Sequence, residues 1–323
     1  MRPLPPDGVI RERGQYSISM DVYHGQPCNG PSISSTGLRK IYLESPADFW
    51  ARSDLNDDRF DSEQHDHFVF GRAAHALLLG DEDFNAQFAV VPASAPPKPT
   101  SAQIKARLAG RVSDAAQERF GFWDDFAEMN EGKSLLQEED LHTIMYIKRA
   151  LEAHPIVPVL LEGQAEQSLI WQDQDTGVWL KSRLDMLSST GDLADLKTTS
   201  QKRLDLLLRD IRMHGYDMQL GLATMALEEV LGVPFTPEAY EARAAILLFV
   251  YKEPPFHVIP IQVDYDALYW ARLKVRKAID TFAECIKSGV WPGPVEGIPV
   301  YTADYEATQL AEKQRDGKLP MFA

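Results

Sequence analysis

From Glu162 onward the hydrophobic pattern of this chain changes from a helical period to a period of two, and it keeps that period through three successive segments. Ser168–Trp171 and Val178–Met186 flank Asp173-Gln174-Asp175-Thr176-Gly177, which reads as a hairpin closed by a glycine turn. Gly191–Lys197 follows as a third strand. Helical stretches at 202–213 and 216–231 separate these from Ala244–Tyr251, an unbroken apolar run of the kind buried on both faces of a sheet. Phe256–Val263 is its neighbour after the Glu253-Pro254-Pro255 turn, and a long helix spans 265–288. Strands in one central run, with helices before and after, predict an α/β (α+β) fold in which helices flank a central mixed sheet.

The region ahead of the strands is helical. Residues 1–30 are rich in Pro and Gly and read as an extended lead-in, its first dozen residues disordered. Ser34-Ser35-Thr36 caps a helix over 38–43, and Pro46-Ala47-Asp48-Phe49-Trp50 opens a second. Polar residues 51–66 predict a loop, and 67–79 a compact helix closed by Gly80. A proline connector at 92–100 leads to helices over 101–130 and 138–153, an insertion spanning about 100–155 ahead of a core at about 160–290. The main domain is thus placed at 31–290, with an irregular tail over 291–323.

Charge and cysteine content narrow the chemistry. Among 323 residues, 33 Lys and Arg stand against 48 Asp and Glu, a formal charge of −15. Such a surface is a poor non-specific coat for nucleic acid, although a locally basic groove is compatible with it. Acidic groups gathered around a divalent ion push the balance the same way. Cys28 and Cys285 stand alone, which excludes a disulfide scaffold, a four-cysteine zinc site and a cysteine-bound iron–sulfur cluster, and fits a reducing cytoplasm. No window approaches the roughly 18 apolar residues of a membrane span, and the first residues lack the apolar run of a signal peptide.

The segment that carries chemistry is Leu184-Asp185, followed by Asp192-Leu193-Ala194-Asp195-Leu196-Lys197. Strand alternation sends Asp195 and Lys197 to one side and Ala194 and Leu196 into the core. On the preceding strand, Lys181, Arg183 and Asp185 share a face, with Leu180, Leu184 and Met186 opposite. Antiparallel pairing of the two strands brings Asp185 and Asp195 together across the ladder. Two adjacent carboxylates repel unless a cation lies between them, and Mg²⁺ suits such oxygen ligands. Lys197 beside that ion is placed to hold or deprotonate an attacking water. Gly71 and His75 lie four residues apart on one helix face, where the imidazole is a candidate ligand. The Gln219 amide, in the helix opened by Tyr216-Asp217-Met218, can bond a phosphate, a water or the lysine.

In order, these residues are Gly-x-x-x-His on a helix, a strand Asp, Asp-x-Lys ten residues later, and a Gln in the next helix. The set resembles the PD-(D/E)xK nuclease superfamily, nearest to phage and prophage exonuclease VIII (RecE-like) proteins and more distantly to the nuclease domain of RecB. The flanks Ser32-Ile33-Ser34-Ser35-Thr36-Gly37-Leu38, Phe68–Leu79 and Tyr251-Lys252-Glu253-Pro254-Pro255-Phe256 are similar too, and the likeness covers about 30–285. It implies a restriction-endonuclease-like core and a Mg²⁺- or Mn²⁺-dependent exonuclease degrading linear duplex DNA from 5′ ends for recombination. By position it makes His75, Asp185, Asp195 and the Leu196 carbonyl metal ligands, Lys197 the catalytic lysine, and Gln219 its support or a DNA contact. A single-strand annealing partner and a ring-like homo-oligomer follow by the same analogy. The family often carries Tyr one turn after the Gln, where this chain has Ala223; Tyr216 precedes the Gln instead.

Several roles stay open on the sequence. Arg183 and Lys181 read equally as contacts to flanking phosphates and as surface cations, and Lys202, Arg203 and Arg209 as a groove lining or a helix surface. Glu166 reads more readily as a solvated loop carboxylate than as an extra acid at the metal. Competing with the exonuclease are an endonuclease or single-strand nuclease of the same superfamily, a catalytically inactive DNA-binding module, and an acidic structural protein whose motifs coincide by chance.

Overall fold

The computed structural model describes residues 1–60, 66–80, 84–295, 297–300 and 304–316. The chain opens with β1 (Arg2–Pro3), β2 (Gly14–Ser17), α1 (Met20–His24), β3 (Ser32–Ser34), α2 (Ser35–Leu43) and α3 (Pro46–Trp50). Next come α4 (Asp66–Leu79), α5 (Phe84–Gln87), β4 (Phe88–Val91), α6 (Ser101–Leu108), α7 (Asp114–Met129), β5 (Ser134–Gln137), α8 (Glu138–Ala153) and α9 (Val157–Leu160). The central run is β6 (Gly163–Gln172), β7 (Trp179–Ser188) and β8 (Leu193–Thr199). It is followed by α10 (Leu204–Met213), α11 (Tyr216–Leu231), α12 (Pro237–Glu241), β9 (Ala245–Tyr251), β10 (Val258–Val263), α13 (Tyr265–Ser288) and α14 (Asp304–Arg315). No helix among the described residues is long and apolar enough to cross a membrane.

The main sheet is mixed, as the sequence pattern predicts, in the order β1-β2-β6-β7-β8-β9-β10, with β3 pairing β7. β7 runs antiparallel to both of its neighbours, β6 and β8, while β8 and β9 are parallel from Leu193↔Ala245 to Thr199↔Tyr251. All seven residues of β9 are buried, because helices cover both of its faces. On one face α2, α11 and α13 pack over Leu193, Leu247 and Phe249; on the other, α4 and α8 pack over Leu196, Leu248 and Val250. Burying those apolar side chains contributes roughly 1.5–3 kcal/mol each. The helices of the first face are sharply bounded. Gly215 (φ 63°) and Gly232 (φ 69°) bracket α11, and α13 starts where the Asp264 carboxylate accepts from the Ala267 N–H. A Cβ at Gly221 of α11 would lie 3.0 Å from Ala271, so the glycine lets α11 and α13 approach closely.

The ladder between β7 and β8 is short. Only Met186↔Ala194 and Leu187↔Leu193 pair, after which the strands part. On its other side β7 pairs β6 through Ala165↔Met186 and Gln167↔Leu184, leaving Glu166 and Asp185 opposite each other but unpaired, with Glu166 at φ 52°. The strand rotates there. Leu180 and Leu184 join the α11/α13 core, whereas Met186 packs with Leu160, Ala194 and Ile246, so the expected common face of these three ends at Asp185.

Other expectations also change. The lead-in is ordered, carrying β1, β2 and α1, because its carbonyls and N–H groups find partners on β6 and β7. The helix expected over 101–130 breaks into α6 and α7 at Gly110 (φ 69°). β4 and β5 form a small parallel sheet that four-residue strands without alternation do not announce. In the tail, 304–315 is helical; that stretch lacks Pro and Gly and is rich in helix formers. Part of the expected 51–66 loop, and residues 301–303 and 317–323 of the tail, lie outside the described residues.

Candidate active site

The splitting of β7 from β8 builds the site. Beyond Ala194 the Leu196 N–H has lost its ladder partner, and the Asp185 side chain takes that place, its Oδ2 accepting at 2.8 Å. A buried N–H must be satisfied, so this bond fixes the carboxylate in the opening between the strands. His75 descends from α4 onto the same spot. Its Nε2 lies 3.1 Å from the Leu196 carbonyl, and since a carbonyl only accepts, Nε2 carries a proton. Nδ1 then faces two carboxylates, 3.5 Å from Asp185 Oδ2 and 3.6 Å from Glu166 Oε1. One ligating atom from each of His75, Glu166 and Asp185 falls within 4.8 Å of the others.

Asp195, Lys197 and Gln219 form the adjoining half. Lys197 Nζ is ion-paired with Asp195 Oδ2 and donates to Gln219 Oε1 at 3.2 Å, while Gln219 Nε2 donates to Asp195 Oδ1 at 2.5 Å. The amide thus reads carboxylate on one side and ammonium on the other, holding both rigid. The Lys197 ammonium also sits 5.0 Å from the Tyr216 ring centroid. Arg39 lies over the same ring at 5.9 Å and donates to the His214 carbonyl at 3.0 Å. A groove of about 480 Å³ runs past these groups, bounded by Tyr23 of α1, Arg39 of α2, Arg72 of α4 and Lys252 beyond β9.

Electrostatics bind the two halves together. Burial and the neighbouring Asp195 push the Asp185 carboxyl up to about 7. For His75, burial pulls downward, but Asp185 and Glu166 outweigh it and raise the imidazole to about 9. Burial would raise Glu166; hydrogen bonds from His75 and Arg183 hold it below the ordinary carboxylate range. The three carboxylates face His75, Arg183 and Lys197, so a divalent ion here would take the place of the imidazole proton. The donor set, two carboxylates and an imidazole Nδ1 with a third carboxylate adjoining, fits Mg²⁺ or Mn²⁺.

Of the residues singled out in the sequence, His75, Asp185, Asp195, Lys197, Gln219 and Tyr216 therefore converge. Three details differ. Glu166 is buried within β6 instead of solvated in a loop, and it joins the cluster with His75 and Asp185. The Leu196 carbonyl faces Nε2 of His75, on the opposite side of the ring from the carboxylates. Lys181 is only 2% exposed, and its Nζ donates to the carbonyls of Tyr23 and Gly25 at 2.8 and 2.6 Å, so it is sealed from any flanking phosphate. Arg183 borders the groove, but its Nε holds Glu166 Oε2 at 2.6 Å. Lys202, Arg203 and Arg209 pair with the carboxylates of Glu253, Asp205 and Asp210. In the sequence nothing distinguishes Arg39 from an ordinary helix cation; only the docking of α2 brings it to the groove.

Comparison with known proteins agrees with this architecture. A crystal structure from Eubacterium rectale named "Putative exonuclease" superposes with a TM-score of 0.53 at 14% identity, covering 90% of this chain and 98% of that one. At such identity the likeness concerns the fold. A second structure, SSO0001, covers 72% of this chain and 98% of its own at 12% identity, but its TM-score of 0.26 carries no argument. No curated protein matches. The profile of one family matches residues 34–303, a span that takes in the helix of His75, the whole β6–β8 run and Gln219. The chain belongs to that family, the PDDEXK-like domain of unknown function DUF3799.

Proposed function

We propose that the protein is a divalent-cation-dependent exodeoxyribonuclease that hydrolyses phosphodiester bonds in linear duplex DNA, resecting ends from 5′ to 3′ for recombination. One observation carries the reading: Lys197, fixed by Asp195 and Gln219, stands beside the cluster of His75, Glu166 and Asp185 on the wall of an open groove. His75, Glu166 and Asp185, with Asp195 adjoining, would hold Mg²⁺ or Mn²⁺. When bound, such an ion polarises a phosphate and lowers the pKa of a water.

The remaining work falls to the chain. Lys197 orients the attacking water and offsets negative charge that builds on the phosphate oxygens. Gln219 keeps that ammonium from collapsing wholly onto Asp195, since its Oε1 supplies a second acceptor. Arg39, Arg72 and Lys252 give the groove local positive charge in a chain of net charge −15, which favours phosphate contacts without base readout. That mode of binding suits an enzyme acting at ends. A ring-like homo-oligomer and a partner that anneals the exposed strand extend the same reading.

The test is digestion of linear duplex labelled at either the 5′ or the 3′ end, alongside closed circular duplex, with and without Mg²⁺. Stepwise loss from the 5′ label, confined to linear DNA with Mg²⁺, is expected. Cleavage of the closed circle would point to endonuclease action, and no release under any condition would remove the hydrolytic reading.

A further inference from the structure

We infer that Arg183 is a positioning residue for this centre: it fixes Glu166 so that one carboxylate oxygen faces His75, and it takes its own bearing from the N-terminal segment. The inference rests on reading His75, Glu166 and Asp185 as a cation site. Glu166 uses its two oxygens differently, Oε2 accepting from Arg183 Nε at 2.6 Å while Oε1 lies 3.6 Å from His75 Nδ1. The Arg183 and Glu166 side chains are 7% and 5% exposed, so this pair is no screened surface contact. Arg183 Nη1 also donates to the Ile18 carbonyl at 2.9 Å and to the Ser168 hydroxyl at 3.2 Å. A planar guanidinium reaches three acceptors on two segments, Glu166 and Ser168 of β6 and Ile18 of the lead-in, a fork that a lysine ammonium lacks.

Ile18 belongs to a stretch tethered along β7 at regular intervals. Trp179 Nε1 donates to the Asn29 carbonyl at 3.1 Å, and Lys181 to those of Tyr23 and Gly25. Three alternate side chains of β7 thus grip the backbone of one strap, and the next alternate residue is Asp185. Through Tyr23 the strap also forms a wall of the groove. The segment is held at these points by its main chain, while its own Ile10, Tyr16, Ile18, Tyr23 and Cys28 bury against Ile170 and Trp179.

The test is Mn²⁺ titration of the full chain, followed by the electron paramagnetic resonance of free Mn²⁺, with circular dichroism melts in parallel. The variants are Glu166→Gln, Arg183→Gln, Arg183→Lys and the double Glu166→Gln/Arg183→Gln. A residue that orients a ligand typically changes metal affinity by about 10–100-fold. Glu166→Gln and Arg183→Gln are each expected to weaken Mn²⁺ about tenfold or more, the double no further than Glu166→Gln alone, and Arg183→Lys not to restore binding. Should Arg183→Gln fail to fold, Arg183→Lys decides, because it keeps the buried charge. Unchanged affinity in folded Arg183→Lys, or a double variant as weak as the product of its singles, overturns the inference. Failure of the unaltered protein to bind Mn²⁺ overturns the centre and the inference with it. Mn²⁺ bound without DNA hydrolysis sinks the nuclease reading alone and leaves the Arg183 comparison standing.

Discussion

Loading the centre with a divalent ion should expel protons, and the number follows from the geometry. In the ion-free protein the Asp185 carboxyl is pushed up to about 7, and the His75 imidazole to about 9. A ligating nitrogen must be neutral and a ligating carboxylate ionised, so each proton on these groups has to leave. Taking the two values together, about two protons depart per ion near pH 6, about one near pH 7.5, and almost none above pH 10. The slope of log affinity against pH equals that number, so Mn²⁺ should bind about a thousandfold more tightly at pH 8 than at pH 6. Isothermal titration of Mn²⁺ at pH 7.5 in two buffers of different ionisation enthalpy counts the released protons directly. An affinity flat between pH 6 and pH 8, with no buffer dependence of the heat, would refute the assignment of Nδ1 as a ligand and the electrostatic argument behind it.

Replacing Lys197 by Met should abolish hydrolysis while leaving Mn²⁺ titration within about a few-fold, since the side chain acts on the water and the phosphate; loss of Mn²⁺ binding instead would make it a structural counter-ion. Burial holds the Lys181 ammonium down at about 8, below its ordinary 10.5. The folded state then sheds that proton first, so the penalty is present below pH 8 and disappears as pH rises to 10.5. Relative to Lys181→Met, the unaltered protein should therefore gain about 3 kcal/mol between those pH values in denaturant melts, and parallel curves would contradict it. Gly163 lies where a Cβ would come 2.2 Å from the Leu187 carbonyl oxygen. Gly163→Ala should destabilise by about 1–3 kcal/mol, lowering the melting temperature by several degrees, and an unchanged melt would mean that β6 and β7 separate freely there.

Much of this arrangement is legible in the residues because strand alternation is strict. The parity of Asp195 and Lys197, the burial of β9 and the glycine turn between β6 and β7 all follow from period and turn chemistry. Glu166 was only partly legible: counting outward from the turn at 173–177 pairs 172 with 178 and sets Glu166 opposite Leu184, one residue off the observed register, which pairs Gln172 with Trp179 and brings Glu166 opposite Asp185. It escaped because the expected strand began at Ser168, and strand ends are the weakest element of such readings. Lys181 misled for a different reason. Alternation gives the face of a side chain but not what covers that face, and here the cover is a segment whose Pro and Gly content suggested no structure. Met186 failed at the one residue step where β7 rotates, which no local propensity encodes. The break in α6–α7 and the helix at 304–315 turn on a single glycine and on the absence of one.

The parallel neighbour of β8 comes about fifty residues later in the chain, at Ala245–Tyr251. Until that segment emerges during synthesis, the strand bearing Asp195 and Lys197 is an open margin with main-chain groups awaiting partners. Gln219 lies between the two in sequence, so the ribosome delivers the amide that contacts both ammonium and carboxylate before it delivers the strand that locks them in place. A centre that needs β9 to fix β8 is therefore incomplete until Tyr251 has been made, about fifty residues after its own Lys197.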